Sequence, residues 1–211
     1  VPKGRPRKDN IRRNERDGSD LCLANKGVCN WNYAGDSKKM IDESVKIGSN
    51  TRIEPTAIIQ KNCVIGDNCS IGHYVIMSPD TKIGNNTTIG HQTVFEGECS
   101  VGNYCLIHSQ CHITKGAVIE DNVIIAPMFV GSNDNMMLQH RKNLQEIKPN
   151  GYHICKGVKI GANVSVLPGV FIGENSIVGV GSVVTRDIPE YSIVHGSPAR
   201  VRGIVEEEEI I

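Results

Sequence analysis

Residues 105–114 read CLIHSQCHIT and place Cys105, His108, Cys111 and His112 within eight positions. Thiolates and imidazoles are the preferred ligands of zinc, and neighbouring thiols can also form a redox pair. Imidazole alone suggests a third chemistry, because a neutral ring takes up a proton near neutral pH. Which of these holds depends on where each side chain points. That is set by the elements that carry it.

The surrounding chain has a period of six. From Ile41 to Val130 it divides without a gap into fifteen hexads, among them IGDNCS, IGHYVI, VGNYCL and IHSQCH. The first position is Ile in twelve of them, the others being Met77, Phe95 and Val101. The fifth position never carries a charge and is usually Val, Thr, Ala or Cys, with Phe129 the one large residue. The same metre resumes at Ile154 with ICKGVK, IGANVS, VLPGVF, IGENSI and VGVGSV. Neither a helix nor an isolated strand has this period; a prism of short strands does, three hexads to a coil. The fold class expected is therefore all-β, a left-handed parallel β-helix of about seven triangular coils. The aliphatic first position faces inward, the small fifth position fits the corner, and the Gly common at the second marks the bend.

That register answers the opening question. Cys63, Cys69, Cys99, Cys105 and Cys111 all occupy the fifth position and read as small buried hydrophobes. Pairs in matching columns, 63 with 99 and 69 with 105, are two coils or roughly 10 Å apart, too far for a disulfide. His108 follows the inward Ile107 and His112 precedes the inward Ile113, so both imidazoles point outward. Cysteines and histidines face opposite ways, and no metal is expected there or elsewhere in the chain.

The corner after the stacked positions 71, 89, 107 and 125 holds His73, His91 and Ser109 in one column, flanked by His108 and His112. The 23-residue insert at 131–153 is expected to leave the prism at this same corner and to bring His140 with it. Outward polar residues on such a prism are commonly only solvated. Beside a loop this long they are candidates for chemistry.

The remaining segments add less. Residues 1–40 read as a basic tail and N-terminal cap, and 204–211 as a C-terminal extension. The first twenty residues hold seven Lys/Arg against four Asp/Glu, and their GRPRK core has the look of a minor-groove arm. Solvation is the ordinary fate of such a tail, and nucleic acid is not the expected partner. Cys22 and Cys29 fit no metal spacing. Over the whole chain 23 basic residues balance 23 acidic ones, which points to neither nucleic acid nor membrane. There is no apolar run of membrane-spanning length and no apolar leader, so a cytoplasmic location is expected.

The hexads, together with the ending IGANVSVLPGVFIGENSIVGVGSVVTRDIPEYSIVHGSPARVRG at 160–203, resemble the hexapeptide-repeat acyltransferases. Within that family, NYCLIHSQCHI followed by IIAPMFVGSND and an insert is similar to the branch that acylates amino sugars attached to nucleotides. The resemblance implies a homotrimer with active sites between neighbouring prisms and acetyl-CoA lying along the later coils. It places the pantetheine arm against Gly161, Ala162, Gly179, Val180, Gly181 and Ser182. Arg186 and Arg200 are candidates for the CoA phosphates, since guanidinium forks suit them. The sugar O-acetylating members carry His-Pro where this chain has Asn133-Asp134, which leans toward an amine acceptor. On that reading the amine attacks the thioester directly. His108 or His112 takes its proton, and His91, Gln110, Asn133, Asp134 and His140 position the acceptor. Three other readings stay open: O-acetylation of a sugar or serine, a γ-class carbonic anhydrase, and a non-catalytic scaffold. The anhydrase family spaces two of its zinc histidines H-x4-H, whereas here the spacing is H-x3-H.

Overall fold

The computed structural model describes residues 40–135 and 149–210. The expected N-terminal cap, Cys22, Cys29 and His140 lie outside them. Within the described residues the chain is a parallel β-helix of two-residue strands, from Lys46–Ile47 to Val183–Val184, closed by Ser192–His195 and Arg200–Ile204. The strands form three sheets, of seven, nine and seven members. Sheet 1 begins at Lys46–Ile47, sheet 2 at Arg52–Ile53 and sheet 3 at Ile58–Ile59. Except across the insert and in the last coil, each strand pairs in parallel with the one eighteen positions on, as Lys46 with Val64 and Ser70 with Thr88. Sheet 2 has eight parallel rungs, so the prism has about eight turns rather than seven. The extra rung was hidden because the last coil is shorter: Val178 pairs with Val194, sixteen residues on.

The phase of the sixes holds from Ile59 on, while Ile47 in the opening coil is exposed. Ile59, Ile65, Ile71, Met77, Ile83, Ile89, Phe95, Val101, Ile107, Ile113, Ile119 and Ile125 are all buried. So are the fifth-position thiols, Cys63, Cys69, Cys99, Cys105 and Cys111, each free and at most 4% exposed. Burial pushes the Cys99 and Cys105 thiols up to about 11. They are packing groups, not nucleophiles.

The bend is not where the sequence suggested. Left-handed backbone falls at the fourth position, at Asn62, Asn68, Asn86, Tyr104, Gln110 and Asn122 among others, and at Gly116, Gly157 and Gly181. Asn recurs there because it tolerates that region better than other non-glycine residues. The second-position glycines answer a different need, the close approach of the next coil. A β-carbon on Gly72 would lie 2.8 Å from the His91 nitrogen.

Third-position side chains tie the coils together. At the corner between sheets 1 and 2, Asp67 Oδ1 accepts the Ser49 N–H at 2.6 Å and Asn85 Oδ1 accepts that of Asp67 at 2.8 Å. Asn103 Oδ1 accepts the Asn85 N–H at 2.8 Å, and Asp121 Oδ1 that of Asn103 at 2.7 Å. Each residue thus caps the main chain one coil below. Arg200–Ile204 runs antiparallel to Ser192–His195, and within 204–211, expected as a C-terminal extension, a short 3-10 turn forms at Glu207–Glu209.

Candidate functional site

The insert does not leave at the histidine corner. Gly131 keeps the metre as an inward first position, paired with Val166, and the chain departs only after it. Val118 then pairs with His153, 35 residues on instead of 18. The departure lies at the corner between sheets 3 and 1, one corner beyond the expected one. The physical reason is Tyr152, fully buried with its ring against Phe129 at 5.6 Å between centroids. A β-carbon on Gly131 would overlap that ring, so the expected aliphatic residue is absent and in sequence the repeat reads as ending at Val130. The stem is pinned where the Asn133 carbonyl accepts the Asn150 N–H at 3.0 Å.

This correction divides the candidate histidines. His112 projects from the His112–Ile113 strand of sheet 3 toward the insert's corner, where its Nε2 lies 3.0 Å from Glu96 Oε1. The second Glu96 oxygen accepts the Lys115 N–H at 3.3 Å. Glu96, His112, Thr114, Ser132, Asn133 and Asp134 line one open cleft of about 420 Å3. Asn133 is held by its Nδ2, which donates to the Lys115 carbonyl at 3.2 Å. Among the described residues the buried Thr114 hydroxyl has no hydrogen-bond partner, leaving a polar group beneath the cleft with unused capacity. Since a carboxylate can only accept, the imidazole must donate Nε2–H to Glu96. In the neutral ring Nδ1 then keeps its lone pair.

The other candidates stand at the corner between sheets 2 and 3. His108 is exposed and its ring has no protein partner among the described residues. Gln110 has left-handed backbone, and its Nε2 donates to Gln92 Oε1 at 3.2 Å. His91 does what Asp67 and Asn85 do elsewhere: its Nδ1 accepts the His73 N–H at 2.8 Å, with the two rings stacked. Its substrate-facing capacity is reduced to Nε2.

Higher on the same corner, the third-position column continues as Pro127, Ala162 and Val180. None of these side chains can accept a hydrogen bond, so the capping ladder stops. Among the described residues the N–H groups of Ala162 and Val180 have no partner, and Val180 is 74% exposed. Gly161 permits the close stacking, because a β-carbon there would lie 2.6 Å from the Val180 nitrogen. Gly179 and Gly181 flank this edge. Ser182 does not present its side chain. It is fully buried, donating to the Gly179 carbonyl at 2.6 Å and accepting from Gly196 N at 3.1 Å. Arg200, exposed, donates from Nη1 to the Ala199 carbonyl at 2.8 Å. Arg186, also exposed, lies at the third position of the opposite corner of sheet 3, away from Ala162 and Val180.

Glu96 was missed from sequence, although a signal exists. The second position is usually small, and in the described coils it is Glu only at 54, 96 and 120. Each of these glutamates meets a histidine: Glu54 with His73 at 3.3 Å, Glu96 with His112 at 3.0 Å and Glu120 with His153 at 2.6 Å.

Comparison with known proteins fits this architecture. Residues 151–186 match the family model of the bacterial transferase hexapeptide (six repeats). These residues carry the hexapeptide repeat of that family. Residues 36–137 match a second model, the GMPPB C-terminal domain. The dTDP-3-amino-3,6-dideoxy-alpha-D-galactopyranose 3-N-acetyltransferase of Aneurinibacillus thermoaerophilus is 54% identical over 52 residues, 25% of this chain and 27% of that one. The galactoside O-acetyltransferase of Escherichia coli is 40% identical over 89 residues, 39% of this chain and 41% of that one. The chain thus spans well under half the length of these curated relatives. Among solved structures, a hexapeptide-repeat-containing acetyltransferase from Vibrio cholerae superposes with a TM-score of 0.53 at 25% identity, covering 59% of this chain and 73% of that one. AntD, an N-acyltransferase from Bacillus cereus solved with dTDP and coenzyme A, shares the fold at 23% identity. Its TM-score is 0.55, over 77% of this chain and 85% of that one.

Proposed function

We propose that this hexapeptide-repeat chain is an acyl-CoA-dependent N-acetyltransferase acting on the amine of a nucleotide-linked amino sugar. The observation that carries the reading is the His112–Glu96 pair facing Asn133 and Asp134 in one cleft. The Aneurinibacillus relative, named for N-acetylation of a dTDP-linked amino sugar, supports the choice of acceptor.

The acceptor amine enters beside His112. A neutral amine attacks the thioester carbonyl without a covalent enzyme intermediate, so the protein has only to orient it, take up a proton and stabilise the oxyanion. His112 Nδ1 accepts that proton and passes it to the CoA sulfur as the C–S bond breaks, so that amide and free thiol leave. Glu96 holds the ring through Nε2–H and balances the imidazolium charge. Asn133 and Asp134 position the amine and the sugar hydroxyls. The uncapped N–H groups of Ala162 and Val180 receive the carbonyls of the pantetheine arm, and Arg200 is the nearer of the two guanidiniums for a CoA phosphate. The histidine cleft and the uncapped edge stand at opposite corners of sheet 3. A homotrimer, in which a neighbouring prism closes the gap, fits that separation. His108, which has no partner among the described residues and stands on the same corner as the uncapped edge, is then the second base candidate.

Thiol release from acetyl-CoA against a panel of nucleotide-linked amino sugars, plain sugars and serine tests the reading. Turnover with the amines, and none with hydroxyl acceptors, is the expected result. Activity confined to hydroxyl acceptors transfers the chain to O-acetylation. Absence of turnover, together with absence of CoA binding, leaves a non-catalytic scaffold.

A further inference from the structure

The arrangement around Glu96 occurs twice. HITKGAV at 112–118 and HICKGVK at 153–159 are similar segments, and each follows a second-position glutamate one coil below. Geometry repeats with sequence. His153 Nε2 lies 2.6 Å from Glu120 Oε1, and Glu120 Oε2 accepts the Lys156 N–H at 3.0 Å, as Glu96 does for Lys115. The second copy sits at the corner between sheets 1 and 2, on a different edge of the prism from the acceptor cleft.

The copies differ at one telling position. Where the first has Thr114, the second has Cys155, and both are 4% exposed. The fold therefore does not need a thiol there. Glu120, His153 and Cys155 bring one carboxylate oxygen, one imidazole nitrogen and one sulfur within 4.8 Å of one another. Tetrahedral zinc, with bonds of about 2.0–2.3 Å, holds its ligand atoms roughly 3.3–3.8 Å apart, so adjustments of about 1 Å complete the set. Thiolate, imidazole and carboxylate together match a borderline divalent ion and not magnesium or calcium, which take oxygen. Beyond the three lies an open cleft of about 600 Å3 that Glu120, Cys155 and Phe171 line together with the acidic Glu174, Asp187 and Glu190. A concentration of carboxylates around one thiol and one imidazole gives a negative local field that favours a cation.

We propose that Glu120, His153 and Cys155 form a zinc site with its fourth coordination position open to this cleft. On binding, the Cys155 thiol releases its proton to solvent. His153 Nε2 exchanges its bond to Glu120 for one to the metal, its proton residing on Nδ1, and no electrons are transferred. The site is independent of the acyltransfer reading, since it uses neither His112 nor the uncapped corner. It is also distinct from the CLIHSQCHIT cluster, whose sulfurs face the core.

Cobalt titration of the full chain, in parallel with metal analysis of the purified protein, tests this. One equivalent of Co2+ should bind and give a near-ultraviolet thiolate-to-cobalt charge-transfer band. Cys155→Thr, which recreates the first copy and is expected to fold, should abolish the band. Glu120→Gln keeps the hydrogen bond to Lys156 and should weaken binding by at least the roughly tenfold typical of losing an outer-shell partner. Replacing Cys22 and Cys29 by Ser should leave the band intact. A band that survives Cys155→Thr, or the absence of any band at micromolar cobalt, overturns the proposal.

Discussion

His112 and Glu96 stand sixteen residues apart, at adjacent levels of sheet 3, with Nε2 and Oε1 3.0 Å from each other. The carboxylate is itself oriented by the Lys115 N–H, so a chain of two groups fixes the imidazole. If His112 is the general base, His112→Ala should lower kcat by about 10²–10⁴, the usual range for a positioned acid or base. Glu96→Gln keeps an oxygen for Nε2–H and loses only the charge. It should reduce kcat less, with KM for the acceptor little changed. Steady-state thiol release from both variants decides; wild-type kcat in each removes His112 from the mechanism.

The Tyr152 ring fills the space that Gly131 leaves, but among the described residues its buried hydroxyl makes no hydrogen bond of ordinary geometry, the Thr114 backbone being the nearest polar group acting on it. An unsatisfied buried hydroxyl costs about 1–3 kcal/mol. Tyr152→Phe should therefore stabilise the protein by about 1 kcal/mol, a rise of roughly 2–4 °C in Tm for a chain of this size. Tyr152→Ala should destabilise it by about 3–5 kcal/mol, as emptying a core aromatic site commonly does. Thermal unfolding followed by circular dichroism separates the two. A lower Tm for the Phe variant would mean the hydroxyl is bonded after all.

These residues also show why the site was only half legible in sequence. The phase of the hexads fixed which side chains look inward, and with it the buried sulfurs of Cys105 and Cys111 and the outward rings of His108 and His112. The corner at which the insert leaves was not legible. Gly131 does not look like a core position until Tyr152, 21 residues later, is seen to occupy its place. The partners of His112 and His153 were hidden for a related reason. They belong to the coil below and meet the histidines across a register that only the stacking reveals. A glutamate at a position otherwise kept small was the available sign.

Cys99 and Cys105 predict a pH dependence of stability. Burial raises both thiols from an ordinary 9.0 to about 11. The folded state holds these protons more tightly than the unfolded chain. Their contribution is therefore complete below about pH 9 and declines as pH rises toward 11. Urea unfolding between pH 8 and 11 should show that decline. Cys99→Val with Cys105→Val, a residue the metre uses at the same position elsewhere, should flatten it. An unchanged slope in the double variant would assign the alkaline loss to other groups.

The last prediction concerns the place where the capping ladder stops. Asn85 caps Asp67 and Asn103 caps Asn85, whereas the hydrocarbon of Val180 leaves the Ala162 N–H uncapped. Val180→Asn places an amide oxygen where the other corner has one, and the Ala162 N–H gains a partner. A net gain of about 1 kcal/mol is expected from that bond, since such bonds contribute roughly 0.5–1.5 kcal/mol. If the same N–H serves the pantetheine arm, the gain in stability has a functional cost. KM for acetyl-CoA should rise several-fold while KM for the amine acceptor stays put. Stability and KM rising together is a combination that neither a merely destabilising change nor a silent surface substitution produces. A stabilised variant with unaltered KM would place the CoA arm elsewhere on the prism.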